Sequence, residues 1–199
     1  MTSITMVGDK RPYLRGFGYQ GGASRQGWSR AVAELGVGGA FKDAMAQPGP
    51  WSIGATAFGE MLPNHANRVT IDASKKDKWG LPVLAIDCAT GENERLMRRD
   101  MMNDMAETLE AAGVKDVQTY DNECFPGMGI HEMGTARMGR DPKTSVLNAH
   151  NQVWDAANVF VTDGACMASS ACQNPSLTYM ALTARAADFA VSELKRNNL

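Results

Sequence analysis

A chain of 199 residues with 44% apolar and 21% charged side chains can bury a substantial core, and this composition is ordinary for a globular protein. Its net charge of -2, from 20 basic and 22 acidic side chains, gives no electrostatic reason to expect nucleic acid as a partner. No apolar run approaches the roughly 18 residues that a membrane span needs. The first residues lack the apolar stretch of a secretory signal, and the compartment stays open.

The N-terminal half contains three segments that are typical of β-strands. After a glycine-rich beginning, in which residues 29–35 are predicted as a short helix, β-branched residues and a loose alternation of apolar and polar residues recur three times. The three segments are residues 51–62, 67–72 and 81–87. Together they favour an antiparallel sheet with one covered face.

A long amphipathic helix is predicted after these strands, over residues 92–112. Thr90 is its predicted cap, and Gly113 provides a C-terminal stop. Apolar residues recur at intervals of three and four, which favours core packing over a methionine-rich binding face; the stripe is Leu96, Met97, Met101, Met105 and Leu109. Residues 114–120 then have the composition of a short strand.

The C-terminal third combines an apolar strand with an unusually apolar helix. Residues 158–162 form a continuous apolar run of the kind found in strands buried on both faces, and the run stops at Asp163-Gly164. Asn174 is a good helix cap and Pro175 a good first helical residue. Up to residue 191 the helix that follows carries only two charges, which predicts a place inside a large protein.

Two short motifs match known site signatures but lack the surroundings that each signature needs. Residues 16–21 read G-x-G-x-x-G, yet no buried strand precedes them and no helix start follows, so a glycine-rich bend or edge strand is predicted. His131-Glu132 would begin a zinc-binding H-E-x-x-H only with a second histidine at position 135. That position is Thr135, so no metal site is expected.

The four cysteines, Cys88, Cys124, Cys166 and Cys172, contain no C-x-x-C pair. Cys166 and Cys172 lie in one loop of small residues and allow two interpretations. They are either a labile thiol pair or ordinary free cysteines, and the second is the commoner state of buried cysteine.

The clearest candidate site lies between His131 and Asn174. A strand that ends in Asp163-Gly164 puts backbone amides and a carboxylate at the carboxyl edge of a sheet, where α/β folds bind ligands. The helix after Asn174-Pro175 directs free N–H groups and a positive dipole end outwards, which favours an anion. Spacing alone leaves two interpretations open: an anion or cofactor site, or ordinary capping beside a buried, hydrogen-bonded histidine.

Four segments taken in order resemble the C-terminal signature of the glucose-methanol-choline (GMC) oxidoreductases. They are HEMGTARMG from His131, SVLN from Ser145, NVFVTDGA from Asn158 and NPSLTYMALTARAAD from Asn174. The resemblance covers residues 131–188, and residues 13–125 resemble more loosely the substrate domain that precedes this signature. Within the family, the HEMGTARMG form is most similar to bacterial sugar or glycoside dehydrogenases.

The resemblance implies a flavin-dependent alcohol or sugar oxidoreductase with FAD as its cofactor. His131 would face the reacting carbon as general base, and Asn174 would occupy the second position of the family's His-His or His-Asn pair. The same resemblance implies cofactor contacts at Asp163, Gly164, Pro175 and Thr178. Glu132 and Arg137 would be either substrate contacts or surface residues.

The implied fold is α+β and has two parts. Residues 1–130 would form a substrate-binding domain, an antiparallel sheet with helices, and residues 131–199 the C-terminal strand and helix of an FAD-binding α/β domain. The family's N-terminal nucleotide-binding unit has no counterpart here, so the missing half, or another chain, is the expected partner beside a sugar or alcohol substrate. A truncated, non-catalytic scaffold that binds ligands or partners is the alternative, and a thiol-redox protein is a further one.

Overall fold

The computed structural model describes residues 10–25, 37–122 and 125–199. These residues form three α-helices and three two-stranded antiparallel sheets, so the predicted mixture of helices and antiparallel sheet is confirmed. The predicted helix at residues 29–35 lies outside the described ranges. Within those ranges, no helix has both the length and the apolar character to cross a membrane.

The first sheet shows why the G-x-G-x-x-G motif is rich in glycine. β1 (Phe17–Arg25) pairs antiparallel with β2 (Trp51–Gly59) along its whole length. A Cβ atom at Gly21 would lie 2.2 Å from the carbonyl oxygen of Gly54, so only glycine allows the two backbones this contact. The motif lies in a strand, as the edge-strand interpretation predicted, and not in a phosphate-binding turn.

The second sheet is a separate hairpin. β3 (Arg68–Lys76) pairs with β4 (Pro82–Asp87), whereas β2 pairs with β1. The prediction of a single sheet from the three segments was wrong, because the close contact of glycines in β1 and β2 brings those two strands together instead. The covered face is also missing in the described part of the chain. Ile71 and Leu84, which lie opposite each other, are 70% and 65% exposed.

Two helices belong to the N-terminal half. α1 (Gly39–Ala46) is a short helix that precedes β2, and α2 (Glu92–Ala111) is the long helix that the apolar stripe predicts. α2 ends as predicted, because Gly113 adopts a φ of 85°. The N–H groups of Gly113 and Val114 donate back to carbonyl oxygens of the last turn at 2.9 and 3.0 Å. This is the Schellman arrangement in which a glycine commonly ends a helix.

The start of α2 differs from the prediction. Gly91, and not Thr90, lies at the N-cap, and its N–H donates to the carboxylate of Glu94 at 2.7 Å. The other oxygen of Glu94 accepts from the N–H of Leu62 at 3.0 Å, which ties the helix to the chain that leaves β2. Burial by itself raises the pKa of Glu94, but the hydrogen bonds from Leu62 and Gly91 outweigh it and lower that pKa overall.

The N-terminal core forms where α2 packs on the β1–β2 sheet. Met97 and Met101 are 2% and 6% exposed and pack with Tyr19, whose hydroxyl donates to the carbonyl oxygen of Met101 at 2.8 Å. A Cβ atom at Gly59 would lie 2.4 Å from the Met101 methyl carbon, so the helix rests directly on β2. The methionine stripe is core packing, as predicted.

The segment after α2 is not the strand that its composition predicts. Residues 114–120 pair with no other strand in the described part of the chain. Asp116 has a φ of 57°, and Tyr120 is 77% exposed. The prediction was wrong because a positive φ turns the chain out of the extended conformation that a strand requires.

The C-terminal third contains a small hairpin and the last helix. β5 (Gln152–Val153) pairs antiparallel with β6 (Ala156–Phe160), and α3 (Ser176–Lys195) ends the fold. The expected burial of residues 158–162 on both faces is wrong for this chain. Val159 is 44% exposed, because β5 is the single neighbour of β6 within the described ranges.

α3 leaves much of its apolar surface uncovered. Only Ala186 is fully buried among its described residues. Four large apolar side chains of the helix are between 50% and 79% exposed: Leu177, Met180, Val191 and Leu194. The interior position that its composition predicts is therefore not provided by the described part of this chain.

Candidate functional site

The histidine loop, residues 131–139, runs beside the turn that follows β6. The N–H groups of Gly134, Ala136 and Met138 donate in order to the carbonyl oxygens of residues 164, 165 and 166, at 3.4, 3.0 and 2.9 Å. Positive φ angles of 70° at Ile130 and 86° at Gly134 bend the chain on either side of His131. The backbone therefore holds the loop against the Asp163-Gly164 position.

The turn beside the loop is a single 3-10 turn, Gly164–Cys166. Asp163 lies at its N-cap, and its carboxylate accepts the N–H of Ala165 at 3.0 Å. Gly164 and Cys166 are buried, while Asp163 is exposed. Asp163 thus shapes the turn and keeps a solvent-facing carboxylate at the end of β6.

The start of α3 corrects the predicted cap. The helix begins at Ser176 with Pro175 at the N-cap, so Asn174 lies one residue too early to cap it. The side chain of Asn174 is exposed and makes no hydrogen bond within the described ranges. Because Pro175 offers no side-chain acceptor and the first turn contains no acidic residue, the first N–H groups of α3 stay free for an external acceptor.

Gly164 is the point at which the histidine loop, the turn and α3 meet. A Cβ atom there would lie 2.8 Å from the carbonyl oxygen of Glu132, 2.9 Å from the hydroxyl of Tyr179 and 3.1 Å from the sulfur of Met133. The Tyr179 hydroxyl also donates to the Met133 sulfur at 3.6 Å. Since Tyr179 belongs to the second turn of α3, the loop and the helix close on the same glycine.

The surroundings of Tyr179 raise the pKa of its hydroxyl above the ordinary value. Burial is the largest cause that raises this pKa, and the nearby acidic groups Asp163, Cys166 and Glu132 raise it further as they ionise. Burial also raises the pKa of the Cys166 thiol. The cluster therefore presents a phenol and a thiol in their neutral forms at neutral pH.

The residues that the resemblance implied lie in or next to this cluster. His131 is half-buried at the start of the loop, Pro175 is buried, and Asn174 and Thr178 are exposed at the start of α3. No hydrogen bond joins the side chains of His131 and Asn174 in the part of the chain that the structure describes. Their catalytic pairing stays a prediction.

Glu132 and Arg137 both make local contacts. The carboxylate of Glu132 accepts the N–H of Gly129 at 2.7 Å, and the guanidinium of Arg137 donates to the carbonyl oxygen of Thr144. These contacts stabilise the two ends of the histidine loop. They favour a structural role over direct substrate contact.

Sequence reasoning missed a buried polar group beneath the site. Asn151 is fully buried; it donates to the carbonyl oxygen of Val161 at 2.9 Å and accepts from the guanidinium of Arg185 at 3.1 Å. The available signal was Arg185, one of only two charges in the apolar stretch of α3, because a buried amide needs hydrogen-bond partners and a guanidinium supplies donors. Arg185 itself is exposed.

Cys166 and Cys172 are both free thiols, as is Cys88, while Cys124 lies outside the described residues. A Cβ atom at Gly18 would lie 2.8 Å from the sulfur of Cys172, so the loop that leads to Asn174 touches β1. Across the described ranges, no three His, Cys, Asp or Glu side chains cluster in a way that suits a metal ion.

Comparison with known proteins identifies the family of this chain. A family model described as GMC oxidoreductase matches residues 63–183, which is more than half of the chain and includes the histidine loop, the turn and the start of α3. The chain belongs to the GMC oxidoreductase family. The resemblance seen in the sequence is confirmed.

Its relatives include oxidoreductases of different substrates. The chain is 38% identical over 133 residues to 2-methyl-1,2-propanediol dehydrogenase of Mycolicibacterium austroafricanum, covering 66% of this chain and 24% of that protein. It is 30% identical over 140 residues to the fructose dehydrogenase large subunit of Gluconobacter japonicus, covering 69% and 25%. The crystal structure of pyridoxine 4-oxidase from Mesorbium loti is similar with a TM-score of 0.41 and 22% identity, over 74% of this chain and 31% of that one. The chain spans about a quarter of the length of the two curated relatives.

Proposed function

We propose that this chain is the C-terminal part of an FAD-dependent oxidoreductase that oxidises CH–OH groups of sugars or other alcohols. The observation that carries the proposal is the meeting of three family segments at Gly164, whose Cβ would touch both the histidine loop and Tyr179 of α3. The names of two relatives, a diol dehydrogenase and a fructose dehydrogenase, support a substrate with hydroxyl groups.

The residues at the start of α3 fit the chemistry of a flavin ring. Free N–H groups and the absence of acidic side chains in the first turn suit an electronegative ring edge, since the positive end of the helix dipole points there. Leu177, which is 79% exposed beside them, offers an apolar surface for a planar ring. Asp163 and Gly164 are the proposed contacts to the rest of the cofactor, with Pro175 and Thr178 near the ring.

In the proposed reaction His131 accepts the proton of the substrate hydroxyl, a task that suits histidine because imidazole ordinarily titrates near neutral pH. The amide of Asn174 donates a hydrogen bond to the same oxygen and holds it in place. Bound FAD supplies the acceptor for the hydride that leaves the carbon. The free N–H groups of α3 stabilise negative charge that develops nearby.

A chimera tests the function, in which this chain replaces the C-terminal region of the diol dehydrogenase. We expect the chimera to bind flavin and to oxidise alcohols, and His131→Gln to lower kcat by about 10²-fold or more while the flavin absorption band remains. His65→Gln is the matched control, since His65 is exposed in the loop between β2 and β3. Full turnover in His131→Gln would refute the role of His131.

Asn174→Ala separates catalysis from folding in the same chimera. Asn174→Ala should lower turnover, because the proposed hydrogen bond to the substrate oxygen is lost. It should leave the melting temperature unchanged, because Asn174 does not cap α3. A folded chimera that never binds flavin would favour the alternative function, a non-catalytic scaffold.

A further inference from the structure

Asn151 is a fully buried polar residue that connects several segments near the proposed catalytic cluster. Its side chain donates to the carbonyl oxygen of Val161 at 2.9 Å, and the N–H of Val161 donates back to the carbonyl oxygen of Asn151 at 3.0 Å. Asn151 has a φ of 64°, a conformation that asparagine tolerates better than most residues. These two hydrogen bonds hold Val161, which directly follows β6 and lies two residues before Asp163.

Arg185 connects Asn151 to the last helix. Arg185 is the tenth residue of α3, and its guanidinium donates to Asn151 Oδ1 at 3.1 Å and to the Met138 sulfur at 3.4 Å. Met138 makes the last of the three backbone hydrogen bonds that join the histidine loop to the 3-10 turn, because its N–H donates to the carbonyl oxygen of Cys166. One guanidinium therefore joins α3 to the histidine loop directly, and to the end of β6 through Asn151.

We propose that Asn151 and Arg185 are positioning residues that clamp α3 to the histidine loop and keep Asn174 aligned with His131. This inference rests on the proposed function. Arg185 lies eleven residues after Asn174, about 16 Å along the direction of α3, and Asn151 is fully buried. Both residues would therefore act through the elements that they join and not by touching the substrate. Over the length from Arg185 to Asn174 a tilt of a few degrees moves the start of α3 by about 1 Å, and a 1 Å misplacement can lower turnover about 10²-fold.

The inference can be tested in the full chain without cofactor, because the sequence contains only three histidines. Arg185→Gln is expected to shift the NMR resonances of the His131 ring. Those of His65 should stay in place, because neither hydrogen bond of the Arg185 side chain involves the β2–β3 loop. Arg185→Lys keeps a long, positively charged donor for Asn151, whereas the amide of Gln is shorter and neutral, so Lys should return the His131 resonances most of the way. Spectra are taken well below the melting temperature, so a loss of stability alone would not move them.

Two variants complete the design. Asn151→Asp keeps an acceptor for Arg185 but loses the donor to Val161, so it should also shift the His131 resonances. Arg196→Gln is the matched control: Arg196 follows α3, pairs with Glu193 at 2.8 Å and makes no hydrogen bond to Asn151 or Met138. If Arg185→Gln does not fold, Arg185→Lys and Asn151→Asp decide the question. Unchanged His131 resonances in the folded clamp variants would overturn the inference.

The chimera described above separates this inference from the proposed function. In it, Arg185→Gln is expected to lower kcat about 10²-fold with KM changed less than about threefold. A chimera without flavin or turnover would refute the proposed function, while the NMR comparison would still decide whether the clamp positions His131. A fall in kcat with unmoved His131 resonances would overturn the clamp and leave the function standing.

Discussion

A single methyl group at Gly164 should force the histidine loop and α3 apart. In Gly164→Ala the new Cβ would lie 2.8 Å from the carbonyl oxygen of Glu132 and 2.9 Å from the hydroxyl of Tyr179. Close carbon–oxygen contacts in proteins are normally about 3.3–3.6 Å, so several tenths of an ångström must be recovered. Tyr179 can tilt, but the Glu132 oxygen belongs to the backbone and moves only if the loop moves.

The cost of that movement can be bounded from the structure. Overpacking a filled site costs about 1–3 kcal/mol. The nearest backbone hydrogen bond between the histidine loop and the turn runs from the N–H of Gly134 to the Gly164 oxygen. It is already 3.4 Å long, so it should be the first to break as the loop moves away. We therefore expect a loss of about 2 kcal/mol in the free energy of unfolding. For a chain of this length that corresponds to a fall of about 4–8 °C in Tm.

Thermal unfolding of the full chain, followed by circular dichroism, measures this effect. The matched control is Gly22→Ala, because no atom lies within 4 Å of a Cβ built at Gly22. We expect the control to change stability by less than about 0.5 kcal/mol. If the two variants melt at the same temperature, Gly164 is not enclosed, and the convergence on which the site depends is wrong.

Two further changes test the N-terminal half. Glu94→Gln keeps only one of the oxygens that accept from Leu62 and Gly91. Since the folded-state pKa of Glu94 is lowered, its stabilisation is present above the unfolded-state pKa and is lost as pH falls through the folded value. Urea unfolding should show a deficit of about 1–2 kcal/mol at neutral pH that disappears in strong acid, and a pH-independent deficit would contradict this. Met97→Ala should lower the free energy of unfolding by about 2–5 kcal/mol, because Met97 is 2% exposed. The control Met180→Ala, at a site 68% exposed, should lower it by less than about 0.5 kcal/mol. Equal losses of free energy in urea unfolding would contradict the assigned core.

Elements that depend on local chemistry could be predicted from the sequence. The stripe containing Met97 and Met101 predicts α2, and Gly113 predicts its end, because both signals act within a single helix. The pairing of β1 with β2 had no local signal, since it depends on Gly21 and Gly54 meeting across the sheet. The cap at Asn174 was misplaced by one residue, which is the usual precision of a helix boundary.

The sequence by itself determined the family, because the order and spacing of the segments around His131, Asp163 and Asn174 are properties of the linear chain. Only the tertiary structure decided that the histidine loop and α3 close on Gly164, and that Arg185 reaches Asn151. The physical reason is that periodicity shows which side of an element is apolar, but not which distant element covers it. Contacts of buried polar groups such as Asn151 exist only after those elements pack together.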